Sequence, residues 1–165
     1  MIVVRVLKHL LAPSWLARRV FRAADVAAIR VAIAASEAGH RGELRFAAEG
    51  PMSPGRLFHG VSARERAVEL FGSLRIWDTA ENNGILIYVQ LVDRRVEILA
   101  DRAIAGKVPQ AEWDAVCREM EAAFKAGAFR RGVLDAIDRV TRLLALHFPS
   151  RGKRVNELPD QPLLF

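Results

Sequence analysis

The stretch WDTAENNGILIYVQLVDRRVEILADRAIAG, residues 77–106, decides the fold. Its centre, ILIYVQLV at 85–92, is a nearly continuous apolar run rich in β-branched residues, the pattern of a strand covered on both faces. Ahead of it Asp78, Thr79, Glu81, Asn82, Asn83 and Gly84 make a polar turn, in which the Asn-Gly pair suits backbone with positive φ. Asp93-Arg94 reverses the chain. RVEILADR, 95–102, then returns antiparallel, with Val96, Ile98 and Ala100 alternating against Glu97 and Leu99.

Upstream, GELRFAAEG at 42–50 alternates Leu44, Phe46 and Ala48 with Glu43, Arg45 and Ala47, a strand with at least one buried face. Gly50, Pro51, Pro54 and Gly55 punctuate a loop. The capping box Ser62-x-x-Glu65 opens a helix to about Arg75 that buries Val68, Leu70, Phe71 and Leu74. This strand–helix–strand crossover predicts a parallel strand pair. Residues 23–39 form an alanine-rich helix with Val26, Ile29, Val31 and Ile33 inward. Downstream, a helix runs from near Pro109 to Gly127 with Trp113, Val116, Cys117, Met120 and Phe124 as its inner stripe. The last helix, 129–148, buries Val133, Leu134, Ile137, Val140 and Leu144. Helices alternating with strands around a small mixed β-sheet predict an α/β protein, a three-layer α/β/α sandwich. Ligands of such sheets sit outside the carboxyl ends of the parallel strands. That rule predicts that the loop after Glu49 meets the Asp78–Asn83 turn or Asp101.

The 165 residues are 52% apolar and 27% charged, a globular composition for one domain at 23–148. Residues 1–22 form a basic amphipathic extension and 149–165 an irregular tail ending in apolar Leu163-Leu164-Phe165, free to dock on the domain or on a partner. The single Cys117 excludes an intramolecular disulfide and a Cys-rich zinc site, and its place in an apolar stripe makes it a core residue. His9, His40, His59 and His147 are too far apart in sequence for a zinc motif. No uncharged apolar run is long enough to span a membrane, and Arg5 and Lys8 interrupt the segment where a signal peptide would need its apolar core. The net charge is +6, and Arg5, Lys8, Arg18, Arg19 and Arg22 all precede the first acidic residue, Asp25. The remainder is close to balanced, so no nucleic-acid surface is expected. In the extension, a helix over 2–11 carries Val3, Val6, Leu7, Leu10 and Leu11 on one face and Arg5, Lys8 and His9 on another. After Pro13, Ser14 caps a second short helix bearing Trp15, Leu16, Val20 and Phe21. Two readings fit this pair: its apolar face packs on the domain, or its cations Arg5, Lys8, Arg18, Arg19 and Arg22 hold it on an anionic membrane surface.

The best polar cluster is Asp78, Glu81, Asn82, Asn83 and Asp101, whose oxygens suit calcium or magnesium. The competing reading is that Asp78 and Asn82 satisfy turn backbone groups. Asp101-Arg102 places a carboxylate beside a guanidinium that suits a phosphate or other anion, or it marks a strand-to-helix junction. No nucleophile elbow, Walker loop or dinucleotide fingerprint occurs.

The order of these motifs resembles the TPM domain family. Its K-D-N-G turn reads Glu81-Asn82-Asn83-Gly84 here, its V-L-L-L strand Ile85-Leu86-Ile87-Tyr88-Val89, and its D-R hairpin Asp93-Arg94. Its G-Y-G-L-E-G exit reads Asp101-Arg102-Ala103-Ile104-Ala105-Gly106, and FKAGAFRRGVLDAI, 124–137, resembles its closing F-R-x-G-x-Y-x-x-G-V-L segment. The basic N-terminus and the Asn156–Pro159 motif are similar to a short, soluble branch without signal peptide or transmembrane helix. The resemblance implies calcium or magnesium binding, acid phosphatase activity in some members, and envelope accessory roles beside LemA-type membrane proteins in others. Asn82 and Ala105 stand where the family carries carboxylates. The chain is therefore expected to be a cytoplasmic accessory or binding module without a clear catalytic apparatus, at the inner membrane surface. A divalent-metal-assisted phosphatase and a peripheral membrane protein anchored by its N-terminal helices are the alternatives.

Overall fold

A computed structural model describes residues 2–152 and 155–165. Three short or amphipathic helices lead in: α1 (Ile2–Leu11), α2 (Leu16–Val20) and α3 (Ala23–Glu37). Strand β1 (Glu43–Glu49) is followed by α4 (Pro54–Phe58) and α5 (Ala63–Ser73), then by the hairpin β2 (Gly84–Gln90) and β3 (Arg95–Ala100). Helices α6 (Arg102–Ala105), α7 (Gln110–Lys125) and α8 (Phe129–His147) follow, and a last strand, β4 (Leu163–Leu164), ends the chain. The sheet order is β3-β2-β1-β4. β1 runs parallel to β2 and β4, and β2 and β3 are antiparallel, so the sheet is mixed as the pattern predicts.

Helices cover both faces. On one, Leu44, Phe46, Ala48, Ile85, Ile87 and Val89 pack with Ile29 and Ile33 of α3, Trp113 and Val116 of α7, and Val140 and Leu144 of α8. On the other, Ala47, Leu86 and Tyr88 pack with Ala67 and Leu70 of α5 and with Leu158. The capping box forms as expected, Glu65 N–H donating to Ser62 Oγ at 3.1 Å and Ser62 N–H to Glu65. Gly84 is there for close approach: a Cβ would sit 2.0 Å from the Ile76 carbonyl oxygen. The positive φ of the turn falls instead on Asn82, at 51°. Gly132 admits α7 against α8, where a Cβ would meet that of Ala123 at 2.8 Å.

Several expectations are corrected. Val31 and Val68 face solvent, and Arg66 and Ala67 take the inward positions of α5. α2 begins at Leu16 without a side-chain cap, so Ser14 does not close it. Pro54–Phe58 is a helical turn rather than a loop. The tail is not irregular to its end. Leu163 and Leu164 pair with Ala47 and Ala48, and Leu158 is buried. Lys153 and Arg154, within the stretch read as irregular, lie outside the described residues.

The second face carries the charges of β1, and each has a partner. Arg66 donates twice to Glu49, from Nε at 3.0 Å and Nη2 at 3.0 Å, and the Tyr88 hydroxyl donates to the same carboxylate. Arg45 donates to the Pro159 carbonyl, and Glu43 accepts the backbone N–H groups of Glu157 at 3.2 Å and Leu158 at 3.1 Å. Arg66→Met leaves Glu49 buried without its cation. The expected cost is about 3–5 kcal/mol, read as a fall in the urea midpoint without a change in slope.

Candidate functional site

The two edges of the sheet divide the candidate residues. The 78–83 turn precedes β2, and Asp101 follows antiparallel β3, so both lie at the amino edge of the parallel strands. The loop after Glu49 lies at the opposite, carboxyl edge. The expected meeting of that loop with the turn or with Asp101 does not occur, because the turn leads into β2, parallel to β1, and Asp101 leaves antiparallel β3, both at the amino edge.

At the amino edge Asp101 N–H donates to the Gly84 carbonyl at 2.9 Å and Ala103 N–H to that of Asn82 at 3.2 Å, which joins the turn to the exit of β3. Asp101 caps α6, Oδ1 accepting from Arg102 N–H at 2.7 Å. Arg102 Nη2 donates to Asn82 Oδ1 at 2.9 Å. Arg41 pairs with Glu81, and the Asn83 amide donates to the Arg41 carbonyl. Asp78 stands apart, exposed and paired with Arg75 at 2.9 Å. Thus Asn82, Asn83, Asp101 and Arg102 converge, Glu81 is held by Arg41, and Asp78 is left outside. The tail crosses this edge: Ala80 N–H donates to Glu157 Oε2 at 2.9 Å. A cleft of about 440 Å³ between Arg41, Glu81, Asn83, Ser150 and Glu157 results.

These residues do not fit calcium or magnesium. Hard cations of this kind need about six or more oxygens, usually with carboxylate charge. Here Asp78, Glu81 and Asn82 are engaged by guanidinium groups. Asn83 Oδ1 and Asp101 Oδ2 are buried without a protein donor, but they are two oxygens with a single charge. Among the described residues no group of three or more His, Cys, Asp or Glu side chains is arranged to hold a metal ion.

Sequence reasoning missed the carboxyl edge. There Arg5 of α1 donates from Nε to both oxygens of Asp93 at 3.0 Å and from Nη2 at 2.7 Å, and Nη2 also reaches the Val61 carbonyl at 2.8 Å. His9, 2% exposed, accepts from Met52 N–H at Nδ1, 3.0 Å away. That bond fixes the ring as the Nε2–H tautomer, which donates to Asp93 Oδ1 at 3.0 Å. Burial pushes the Asp93 carboxyl up, but Arg5 and His9 outweigh it and hold it below the usual carboxylate range. The signal in the sequence was the i, i+4 spacing of Arg5 and His9, which puts both on one line of the helix.

This clamp turns α1 over. Its polar line faces the domain, while Val3 is 79% exposed, Leu11 76%, Val4 58%, Leu10 57% and Leu7 54%. The expectation that the apolar face packs on the domain is therefore overturned for α1, though α2 buries Ala17 and the adjoining Phe21. Arg5 is spent on Asp93. Lys8, Arg18, Arg19 and Arg22 are exposed, Arg19 lying over the Trp15 ring at 5.4 Å. Burial pushes the Cys117 thiol up to about 12, as suits a core residue.

The sequence profile of the TPM domain matches residues 17–143, and the chain belongs to that family. No functionally curated protein matches it. Among solved structures it is similar to BA42, a protein of the psychrophilic bacterium Bizionia argentinensis determined by NMR, with a TM-score of 0.77 and 29% identity over 88% of this chain and 95% of that one. Helix α1 and strand β4 lie outside the matched span. No helix among the described residues is long and apolar enough to cross a membrane.

Two measurements check this account. Millimolar Ca²⁺ or Mg²⁺ is expected to move Tm by less than about 1 °C, whereas saturating a retained site would raise it by several degrees. Asp93→Asn is expected to cost about 1–2 kcal/mol at pH 7, a charged hydrogen bond discounted for partial exposure. Because the folded pKa of Asp93 is depressed, its contribution is complete above its unfolded value near pH 4 and is lost as pH falls through the folded one. The stability difference between wild type and Asp93→Asn therefore shrinks toward zero in strong acid, read by denaturation across pH.

Proposed function

We propose that this TPM domain is an accessory docking module that sits on an anionic membrane surface through α1 and performs no chemistry of its own. The observation that carries the reading is the inverted mounting of α1, with its polar line clamped to Asp93 and its apolar line in solvent. A helix held this way has its apolar side chains already assembled for an interface, so little ordering cost remains on contact. Lys8, Val4 and Leu11 border one shallow groove, which sets a cation beside the apolar line as interfacial helices do. With Arg18, Arg19 and Arg22 close in sequence and no acidic residue before Asp25, the extension favours anionic over neutral headgroups. Phosphoryl transfer has less support. It would need an activated nucleophile and a cationic clamp together. At the amino edge the carboxylates are already engaged: Glu81 is paired with Arg41 and Asp101 caps α6, while Arg102 is turned to Asn82.

Co-sedimentation with vesicles tests the reading. The full chain is expected to pellet with phosphatidylglycerol vesicles, to pellet poorly with phosphatidylcholine, and to be released by salt. Leu7→Glu with Leu11→Glu should reduce binding by about tenfold or more, because each leucine contributes about 1.5–3 kcal/mol when buried. Both side chains are exposed, so Tm should hold. Wild-type protein that stays in the supernatant with anionic vesicles would sink the proposal.

A further inference from the structure

A second apolar concavity lies beside the carboxyl end of β2. It measures about 500 Å³, within the range of small-molecule sites. Its floor is Val89 and Gln90 at the end of the strand. Its walls include half-buried Leu16 and Val20 of the α2 segment, Leu91, and Phe124 and Phe129 at the α7–α8 turn. Those two rings lie 5.1 Å apart and both rest edge-on against Phe21, at 6.4 and 6.2 Å, so the wall is held from behind by the core. At its mouth stand Arg94 and Lys125. Both are exposed, and neither forms an ion pair among the described residues. The one acidic side chain of the lining, Glu121, is already engaged by Val96 N–H at 3.0 Å and lies 3.9 Å from Arg95.

The chemistry of the lining narrows what can enter. The Gln90 amide is spent, donating to the Gly50 carbonyl at 2.8 Å and accepting from Val92 N–H at 2.8 Å. Leu91 N–H is bonded to the Glu49 carbonyl at 3.0 Å. A peptide laid in the groove would bury its own N–H and C=O groups against walls that offer them nothing, at a cost of about 1–3 kcal/mol for each. A hydrocarbon chain carries no such groups. Two cations at the rim, without an ion pair among the described residues, call for an anionic end.

We propose that this pocket binds a long-chain fatty carboxylate, its chain along Leu16, Val20, Leu91, Phe124 and Phe129 and its carboxylate at Arg94 and Lys125. The site differs from the exposed face of α1 and does not depend on bilayer docking, although Arg94 also borders the groove beside α1.

The test titrates the full chain, without vesicles, with a fluorescent polyene fatty acid below its aggregation concentration. Saturable binding at one site per chain, displaced by oleate, is expected. Ala122→Trp fills the pocket from an exposed helical position and should weaken binding by at least about tenfold at unchanged Tm and unchanged vesicle binding. Arg94→Gly with Lys125→Ala should weaken the carboxylate by about tenfold while leaving its methyl ester unaffected. Arg94 has φ 54°, which glycine accepts, so this second variant keeps the hairpin even if the tryptophan disturbs folding. The proposal is overturned by an absence of saturable binding, by undiminished binding in Ala122→Trp, by equal affinity for the ester, or by binding of lysophosphatidylglycerol in preference to the fatty acid.

Discussion

Three charged side chains, Glu43, Arg45 and Glu49, lie on a strand buried along its whole length. An ionised group taken out of water needs a partner or it destabilises the fold by several kcal/mol. All three point to the same face of the sheet, and that requirement shapes everything on it. Arg66 occupies an inward position of α5 that an apolar residue would otherwise fill, because Glu49 needs a guanidinium there. Tyr88 sits in the apolar β2 run with its hydroxyl on the same carboxylate, and burial and Glu49 together raise its pKa. Glu43 and Arg45 meet the tail backbone, Glu43 accepting from the N–H groups of Glu157 and Leu158 and Arg45 donating to the Pro159 carbonyl. The Glu157–Pro159 stretch is therefore part of the domain's second face, although the family profile ends before it.

A related competition decides the N-terminus. By amphipathicity alone α1 would lay its leucines on the domain. The surface it meets, however, is the carboxyl edge of β1 and β2, which presents the Asp93 carboxylate, the Met52 N–H and the Val61 carbonyl. An apolar face placed there would cover these groups without partners, at about 1–3 kcal/mol for each and more for the charge. Arg5 and His9 satisfy all three. The polar line goes in, and the leucines go out by geometry, since one side of a straight helix cannot face the domain without the other facing solvent.

These two competitions also mark where sequence reading succeeds and stops. Period-two alternation in 42–50, the continuous run at 85–92, the Asp93-Arg94 reversal and the Ser62–Glu65 box are local signals, and the sandwich with its mixed sheet follows from them. The inner stripe of α7 is likewise as spaced. Val68 misleads because the inward position beside it is set by Glu49, seventeen residues upstream in the case of Arg66. The tail misleads because an extended strand of two residues has no periodicity to read. The turn at 78–83 reads as a polar cluster, and two of its residues, Asn82 and Asn83, do converge with Asp101 and Arg102. What could not be read was that Arg41, forty residues earlier in the chain, would reach Glu81.

The closing of the two edges bears on what kind of protein this is. Open α/β sheets place ligands at the carboxyl edge because strand ends there leave a crevice. In this chain that crevice is filled from within, by Arg5 and His9 of α1 and by Phe165, whose backbone bonds to Ala48 and Gly50 at 3.0 and 2.9 Å. The amino edge is crossed by the tail and held by Arg41 and Arg102. An enzyme needs reacting groups converging on space from which water can be excluded. Here Arg41 is engaged with Glu81 and Arg102 with Asn82, and Asn83 Oδ1 and Asp101 Oδ2 are buried beside them without a protein donor. The exposed apolar line of α1 is the counterpart of this filling: the polar line that closes the crevice leaves Val3, Leu7 and Leu11 in solvent.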